Sequence, residues 1–98
     1  MIYYFKFMPQ ARENLKQLKD LHHLKKRYKA VKKALGHLRQ NPRHPGLQTH
    51  EFTTLKGPDG EKVFEAYAEQ NTPAAYRIFF YYGKPRGKIV IITITPHS

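Results

Sequence analysis

Residues 76–95, YRIFFYYGKPRGKIVIITIT, hold two strongly β-forming segments on either side of a turn. Aromatic and β-branched residues dominate both segments, and Gly-Lys-Pro-Arg-Gly at 83–87 separates them. Residues 89–94 are nearly all apolar, which is typical of a strand buried on both faces. The stretch therefore predicts two neighbouring antiparallel strands, 76–82 and 88–95, the second of them inside a sheet.

Two more strands are predicted just upstream. Residues 62–68 alternate between two faces, with Glu65 and Tyr67 together on one of them. The sequence Gly-Pro-Asp-Gly at 57–60 strongly favours a turn. Residues 47–55 then predict a short, irregular strand, and the last three strands are expected to form an antiparallel meander.

The N-terminal part predicts a strand at 2–7 and two helices. Pro9 suits the first turn of a helix, where its missing N–H is not needed. Asp20 is expected to cap a second helix over residues 21–40, which ends before Pro42. Spacings of 4, 3, 4 and 3 place five apolar residues of this helix on one face: Leu24, Tyr28, Val31, Leu35 and Leu38.

The predicted element order is β-α-α-β-β-β-β, which defines an α+β fold. An N-terminal strand and a helical hairpin precede a four-strand, mostly antiparallel sheet, and the hairpin lays its apolar stripe on that sheet. A chain of 98 residues is short enough that residues 1–98 are expected to form one domain. A hydrophobic fraction of 40% is sufficient for a packed core.

Composition excludes several kinds of chemistry and location. The chain has no cysteine, which rules out disulfides, thiolate metal sites and a cysteine nucleophile. No apolar run approaches the length of a membrane span. The aromatic start of the chain lacks the features of a signal peptide. We therefore expect a cytoplasmic protein with no membrane partner.

The charge of the chain is concentrated in its helical part. Eighteen Lys and Arg residues against seven Asp and Glu residues give a net charge of +11. Residues 16–43 hold ten of these bases and one acid, and therefore carry +9 of that charge. So basic a chain predicts a polyanionic partner, which could be nucleic acid, an acidic protein or an anionic membrane surface.

Several short motifs occur in an order that is typical of one superfamily. They are NPR at 41–43, GL at 46–47, VFEAYAE at 63–69, YRIFFYY at 76–82 and IVIITITPHS at 89–98. With these motifs in this order, the chain resembles the RelE/ParE superfamily of toxin–antitoxin toxins over its whole length. The resemblance implies a microbial RNase fold and an acidic antitoxin partner encoded beside it, with which the chain would form a hetero-oligomer.

The resemblance leaves three functions open. RelE-like members cut mRNA, many of them in the ribosomal A site and without metal, which would make this chain an endoribonuclease that inhibits translation. ParE-like members inhibit DNA gyrase by binding alone. A basic RNA- or DNA-binding module that is not a toxin is the third alternative. The acid–base residues below favour the enzyme.

Arg77 and His97 are the first candidate catalytic residues. The resemblance aligns Arg77 with the strand arginine that RelE-type enzymes use against the scissile phosphate, and a guanidinium suits bidentate phosphate contact. HigB-like and YafQ-like members place a histidine just past the last strand as acid or base, as His97 is placed here. The structural alternatives are a strand arginine paired with Glu65 and a frayed terminal histidine.

Glu65 and Tyr67 complete the candidate set, on the strand face that should also show Arg77. RelE itself carries lysines at the corresponding pair, so this chain departs from that pattern. The carboxylate would act as a general base, and the tyrosine would stack a nucleobase or assist proton transfer. An ion pair with Arg77 and simple strand packing are the structural alternatives.

The basic helix and the following loop are expected to contact RNA or the ribosome through the phosphate backbone. A solvated basic face without a partner is the alternative. His22 and His23 point in different directions on a helix, and no histidine spacing forms a metal site, so we expect no metal and no other cofactor. The candidate RNA-binding residues are Lys25, Lys26, Lys29, Lys33, Arg43 and His50.

Overall fold

A computed structural model describes residues 1–97, which form a five-stranded sheet with two α-helices packed on one face. Short 3₁₀ turns at His22–Leu24 and Pro45–Leu47 join the main elements. The elements in chain order are β1 (Tyr4–Phe7), α1 (Pro9–Asp20), α2 (Lys25–Gln40), β2 (His50–Lys56), β3 (Lys62–Tyr67), β4 (Tyr76–Tyr82) and β5 (Lys88–Pro96).

The strands lie in the order β1-β5-β4-β3-β2. The last three strands, β3 to β5, form the predicted antiparallel meander, and β2 extends it by pairing antiparallel with β3. The N-terminal strand joins this sheet as a fifth member, because β1 pairs with β5 in parallel. β5 therefore lies between two strands, and Ile89, Val90 and Ile91 are all buried, which confirms that it is covered on both faces.

The apolar stripe of α2 forms the core with the sheet, as its spacing predicts. Val31 and Leu38 are fully buried, and Leu35 is buried with them. They belong to one cluster with Ile78 and Phe80 of β4 and with apolar residues of β5. Leu24 and Tyr28, the first two members of the stripe, pack at its partly buried edge.

The junction of the two helices differs from the prediction. The second helix begins at Lys25 and not at residue 21, because Leu21 has extended backbone and residues 22–24 form a separate 3₁₀ turn. Asp20 is the last residue of α1, where it pairs with Lys16 one helical turn earlier at 3.0 Å. The prediction that Asp20 caps the second helix is therefore wrong.

The strand predicted at 47–55 also begins later than expected. Leu47 is fully buried, but it belongs to the 3₁₀ turn, and β2 begins at His50. β2 pairs with β3 through an irregular register, so the expectation of an irregular strand is confirmed. At the other end of the sheet, β1 starts at Tyr4, two residues later than predicted.

A β-bulge at Ile92 changes the direction of the end of β5. The register with β4 slips by one residue there, and Ile94 consequently joins the core beneath the helices. Asn14 of α1 supports the bulge: its Oδ1 accepts hydrogen bonds from Thr93 Oγ1 at 2.9 Å and from Ile94 N at 3.1 Å. The bulge thereby sets the path of the chain into His97, just after β5.

Both α-helices within residues 1–97 are too short and too polar to cross a bilayer.

Candidate active site

Three of the four predicted catalytic side chains line one cleft at an end of the sheet. Tyr67 of β3 is the register partner of Arg77 of β4, so both side chains stand on the same face, as predicted. The backbone N–H of His97 donates to Ala75 O at 2.8 Å, which holds the residue after β5 beside the start of β4. Tyr67, Arg77 and His97 line a cleft of about 540 Å³, together with Gln48 and the β3–β4 loop.

Arg77 is held rigidly at the floor of this cleft. Its side chain is only 15% exposed, less than expected for a freely accessible group. Nη1 donates to Glu65 Oε2, and Cζ lies 5.1 Å from the centroid of the Phe79 ring. Nε is buried and has no hydrogen-bond partner among residues 1–97. The guanidinium is therefore held by Glu65 and packed on Phe79, while its buried Nε–H is unpaired among the described residues.

Glu65, the fourth predicted residue, lies beneath the cleft and not in its wall. It is 3% exposed, and both carboxylate oxygens are occupied. Oε2 accepts from Arg77, and Oε1 lies 2.7 Å from His50 Nε2. The ion pair between Glu65 and Arg77, which the sequence left as the structural alternative, is thus formed.

His50, predicted to bind RNA, also contacts two of the site residues. Its Nδ1 lies 2.9 Å from Gln48 O, and its Nε2 faces the Glu65 carboxylate. The ring also packs edge-on against Tyr67, with centroids 5.7 Å apart. His50 thus contacts two of the predicted site residues, Glu65 and Tyr67.

The loop between β3 and β4 is fixed by an ion pair that the sequence did not reveal. Arg27 Nη1 lies 2.9 and 2.8 Å from the two carboxylate oxygens of Glu69, and Arg27 Nη2 donates to Pro73 O at 3.0 Å. Glu69 Oε1 also accepts from the backbone N–H of Tyr76 at 3.1 Å. In the sequence, Arg27 is one base in a basic run, so nothing distinguishes it from its neighbours.

Strained backbone is concentrated around the cleft. Gln48, Asn71 and Ala74 have positive φ angles of 47°, 58° and 54°, and within residues 1–97 they are the non-glycine residues with this conformation. All three line the cleft. Residues other than glycine rarely adopt positive φ angles, and those that do cluster at functional sites.

The predicted RNA-binding lysines of α2 are all exposed to solvent: Lys25, Lys26, Lys29 and Lys33. Lys33 also borders a second cavity, which includes Tyr67. Arg43 is exposed as well, with Cζ 5.9 Å from the centroid of the Phe64 ring. Within residues 1–97, no three His, Asp or Glu side chains are grouped so that they could share a metal ion.

Comparison with known proteins shows which solved structures share this fold. No family model matches the chain, and no curated protein is significantly similar to it in sequence. Solved structures do match. The archaeal RelE–RelB complex from Pyrococcus horikoshii OT3 contains a chain with 18% identity and a TM-score of 0.64, and the match covers 98% of this chain and 96% of that one.

Two further structures agree with this match. The YoeB dimer from Staphylococcus aureus has 17% identity and a TM-score of 0.68 over 100% of both chains. The YoeB/ParE toxin from Agrobacterium tumefaciens has 8% identity and a TM-score of 0.69, covering 96% of this chain and 98% of that one. The chain therefore has the fold of the RelE/ParE superfamily toxins, which confirms at the level of fold the resemblance identified in the sequence.

Proposed function

We propose that this chain is the toxin of a toxin–antitoxin pair and acts as a metal-independent endoribonuclease on mRNA. One observation carries the proposal: a cation fixed by a buried carboxylate, Arg77, lines the same cleft as two groups able to carry protons, Tyr67 and His97. The fold shared with toxins of toxin–antitoxin systems supports the biological role.

The proposed reaction uses the RNA's own 2′-hydroxyl as the nucleophile. The 2′-oxygen bonds to the adjacent phosphorus, the bond from phosphorus to the 5′-oxygen breaks, and a 2′,3′-cyclic phosphate forms. His97 accepts the proton of the 2′-hydroxyl, and Tyr67 donates a proton to the leaving 5′-oxygen. Arg77 stabilises the extra negative charge of the phosphorane, because its position is set before the substrate binds.

Glu65 acts in this scheme as a positioning residue and not as the general base. One of its oxygens accepts from Arg77, the other lies 2.7 Å from His50 Nε2, and the residue does not border the cleft. Its role is to hold Arg77 against the cleft floor and His50 against Tyr67. The carboxylate at position 65, where RelE carries a lysine, thereby has a function of its own: it holds the strand arginine Arg77 in place.

Substrate binding is assigned to the basic face of α2, with added contacts from Arg43. Four exposed lysines on one helix supply sequence-independent attraction to phosphates. The same surface would contact ribosomal RNA if cleavage takes place in the A site. His50 contributes indirectly, through Tyr67.

The proposed protein partner is an antitoxin with an acidic segment that folds on binding and covers Arg77. A net charge of +11 favours such a segment. The Pyrococcus structure shows a chain of this fold in a complex named RelE–RelB. An acidic open reading frame beside the gene would support both toxin functions and count against a simple nucleic-acid-binding module.

Gyrase inhibition is the second candidate, because the fold is also shared with a chain described as a YoeB/ParE toxin. Tightly controlled expression in a bacterial host, with pulse labelling of protein and DNA synthesis, separates the candidates. We expect growth arrest with an immediate loss of protein synthesis. A first loss of DNA synthesis would support the gyrase inhibitor, and normal growth would reject both toxin functions.

A matched pair of variants links the growth phenotype to the cleft. His97→Ala should restore growth, whereas His22→Ala, at an exposed histidine between the two helices, should remain toxic. Equal toxicity of both variants would remove His97 from the proposed mechanism.

A further inference from the structure

A second cavity adjoins the active-site cleft. It has a volume of about 380 Å³ and lies between α2, the 3₁₀ turn Pro45–Leu47 and the end of β3. Tyr67 borders both spaces, and Gln70 of the cleft wall donates a hydrogen bond to Gly46 O of the cavity wall. The cavity and the cleft are therefore neighbours that share Tyr67 as a lining residue.

Two stacked histidines form one wall of this cavity. The rings of His37 on α2 and His44 before the 3₁₀ turn lie nearly parallel, with centroids 4.0 Å apart and an interplanar angle of 23°. Both residues are partly exposed and both line the cavity. The basic charge of the chain does not explain this pair, and none of the roles proposed above uses it.

The position of the His44 ring is fixed locally. Its Nδ1 accepts a hydrogen bond from Gly46 N at 3.0 Å. A Cβ atom at position 46 would lie 3.2 Å from two atoms of this ring, so the ring packs directly over the glycine. A flat ring that is held in place before a ligand arrives loses little entropy on binding.

The rest of the lining suits a flat, partly polar ligand that carries a phosphate. Small aliphatic side chains border the cavity at Ala30, Ala34 and Ala68, and the Tyr67 ring lies at the side shared with the cleft. Lys33, which is exposed, adds a positive charge to the lining. Unpaired RNA bases are bound in this way, by stacking on aromatic or histidine rings with a cation near the backbone.

We propose that this cavity binds an unpaired nucleobase of the substrate RNA, from a nucleotide adjacent to the scissile phosphate. The base packs against the His37–His44 pair, and Lys33 pairs with its phosphate. The proposal rests on the proposed ribonuclease function and adds a base-binding subsite to it. Because the subsite is a neighbour of the cleft, occupancy places the scissile phosphate over Arg77.

The test uses short single-stranded RNA oligonucleotides that carry a 2′-deoxy sugar at the cut site and therefore cannot be cleaved. A series of oligonucleotides lacks the base at one position at a time. The affinity of each is measured for the wild type and for the double variant His37→Leu/His44→Asn. Asparagine at 44 keeps an acceptor for Gly46 N–H and removes the ring. His22→Leu/His23→Asn is the control. Both of these residues are exposed, and they belong to the 3₁₀ turn His22–Leu24, which does not line the cavity.

We expect one position whose missing base weakens binding to the wild type about 5- to 100-fold, the range of a single base stack. In the His37→Leu/His44→Asn variant, which should bind the intact RNA correspondingly less tightly, loss of that base should have no further effect. The control pair should behave as the wild type. An unchanged base profile in the double variant would overturn the subsite, while continued RNA cleavage would leave the ribonuclease function standing. Absence of RNA binding by the folded wild type would reject both.

Discussion

The carboxylate of Glu65 on β3 accepts a hydrogen bond from the guanidinium of Arg77 on β4, although the two residues are not register partners. Arg77 is paired in register with Tyr67, so its side chain reaches diagonally across the strand face to Glu65. This contact occupies one edge of the guanidinium, the Phe79 ring centroid lies 5.1 Å from Cζ, and the residue still lines the cleft. β3 and β4 bring the phenol and the cation to this cleft, and the residue that follows β5 adds the imidazole.

Substitutions at Arg77 and His97 should abolish RNA cleavage without unfolding the chain. Arg77→Lys keeps a positive charge for Glu65 but loses the planar fork, and we expect a rate loss of about 10²- to 10³-fold. His97→Ala removes an exposed proton carrier, and we expect a loss of about 10²- to 10⁴-fold. Single-turnover cleavage rates and far-UV circular dichroism provide the measurements.

The controls for these variants are residues of the same type outside the cleft. Arg86→Lys lies in the exposed turn between β4 and β5, and His22→Ala lies between the two helices. Both should retain the wild-type rate. Full activity of folded Arg77→Lys and His97→Ala proteins would refute the assignment of the cleft as the reaction centre.

Replacing Glu65 should reduce both stability and rate while preserving the pH dependence of the reaction. Glu65→Gln leaves one neutral acceptor oxygen where Arg77 and His50 each had a carboxylate oxygen, and we expect the free energy of unfolding to fall by about 1–3 kcal/mol, as for hydrogen bonds to charged groups. The rate should fall because Arg77 loses its fixed position. Denaturant titration and a pH–rate profile test the two parts separately.

A positioning role and a general-base role for Glu65 differ in that profile. If Glu65 only holds Arg77, the profile of the Gln variant keeps its shape at a lower rate. Loss of the acidic limb of the profile in the Gln variant would instead identify Glu65 as the base.

Charge reversal on α2 should flatten the salt dependence of RNA binding. The four exposed lysines of this helix contribute up to about 0.7 each to the slope of log affinity against log salt for single-stranded RNA. Fluorescence anisotropy at several salt concentrations measures the slope for the wild type and for Lys25, Lys26, Lys29 and Lys33 all changed to Glu.

A charge-matched control distinguishes local contacts from total charge. Reversal at four exposed bases outside α2 changes the net charge equally: Lys56, Lys62, Lys84 and Arg86. This variant should keep most of the wild-type slope. Equal slopes in the two quadruple variants would show that α2 is not the binding surface.

A charge introduced at Leu35 should unfold the domain core. Leu35 is buried between α2 and the sheet, and an unpaired carboxylate at that position costs several kcal/mol. Leu35→Asp is therefore expected to lose its cooperative thermal transition, whereas Lys32→Asp, on the exposed side of the same helix, should retain it. A folded and stable Leu35→Asp protein would contradict the assigned core face.

Hydrophobic periodicity correctly predicted the helices and strands whose own residues show which face is buried. The alternation of β3, the dense β-branched residues of β5 and the stripe from Leu24 to Leu38 each favour one structure locally. The helix junction could not be predicted in the same way, because Asp20 favours both an N-cap and an ion pair with Lys16, and the extended conformation of Leu21 decides between them. Membership of β1 in the sheet depends on β5, some 80 residues away.

The candidate site was only partly accessible from the sequence. Tyr67 and Arg77 could be placed on one strand face, and the resemblance supplied His97. The burial of Glu65 and its contact with His50 depend on the register of β2 against β3, which makes the two residues partners and which no local pattern encodes. The Arg27–Glu69 pair joins residues 42 positions apart, and the bulge at Ile92 depends on Asn14 of a distant helix.

The most direct test of the proposed chemistry is the end group left on a 5′-labelled RNA after incubation with the purified protein in EDTA, alone and with programmed ribosomes. Transesterification by the 2′-hydroxyl requires no metal and leaves a 2′,3′-cyclic phosphate, which hydrolyses to a 3′-phosphate. We expect these ends from the wild-type protein and no cleavage by Arg77→Lys. Intact RNA in both incubations with folded wild-type protein, or products with 3′-hydroxyl ends, would contradict it.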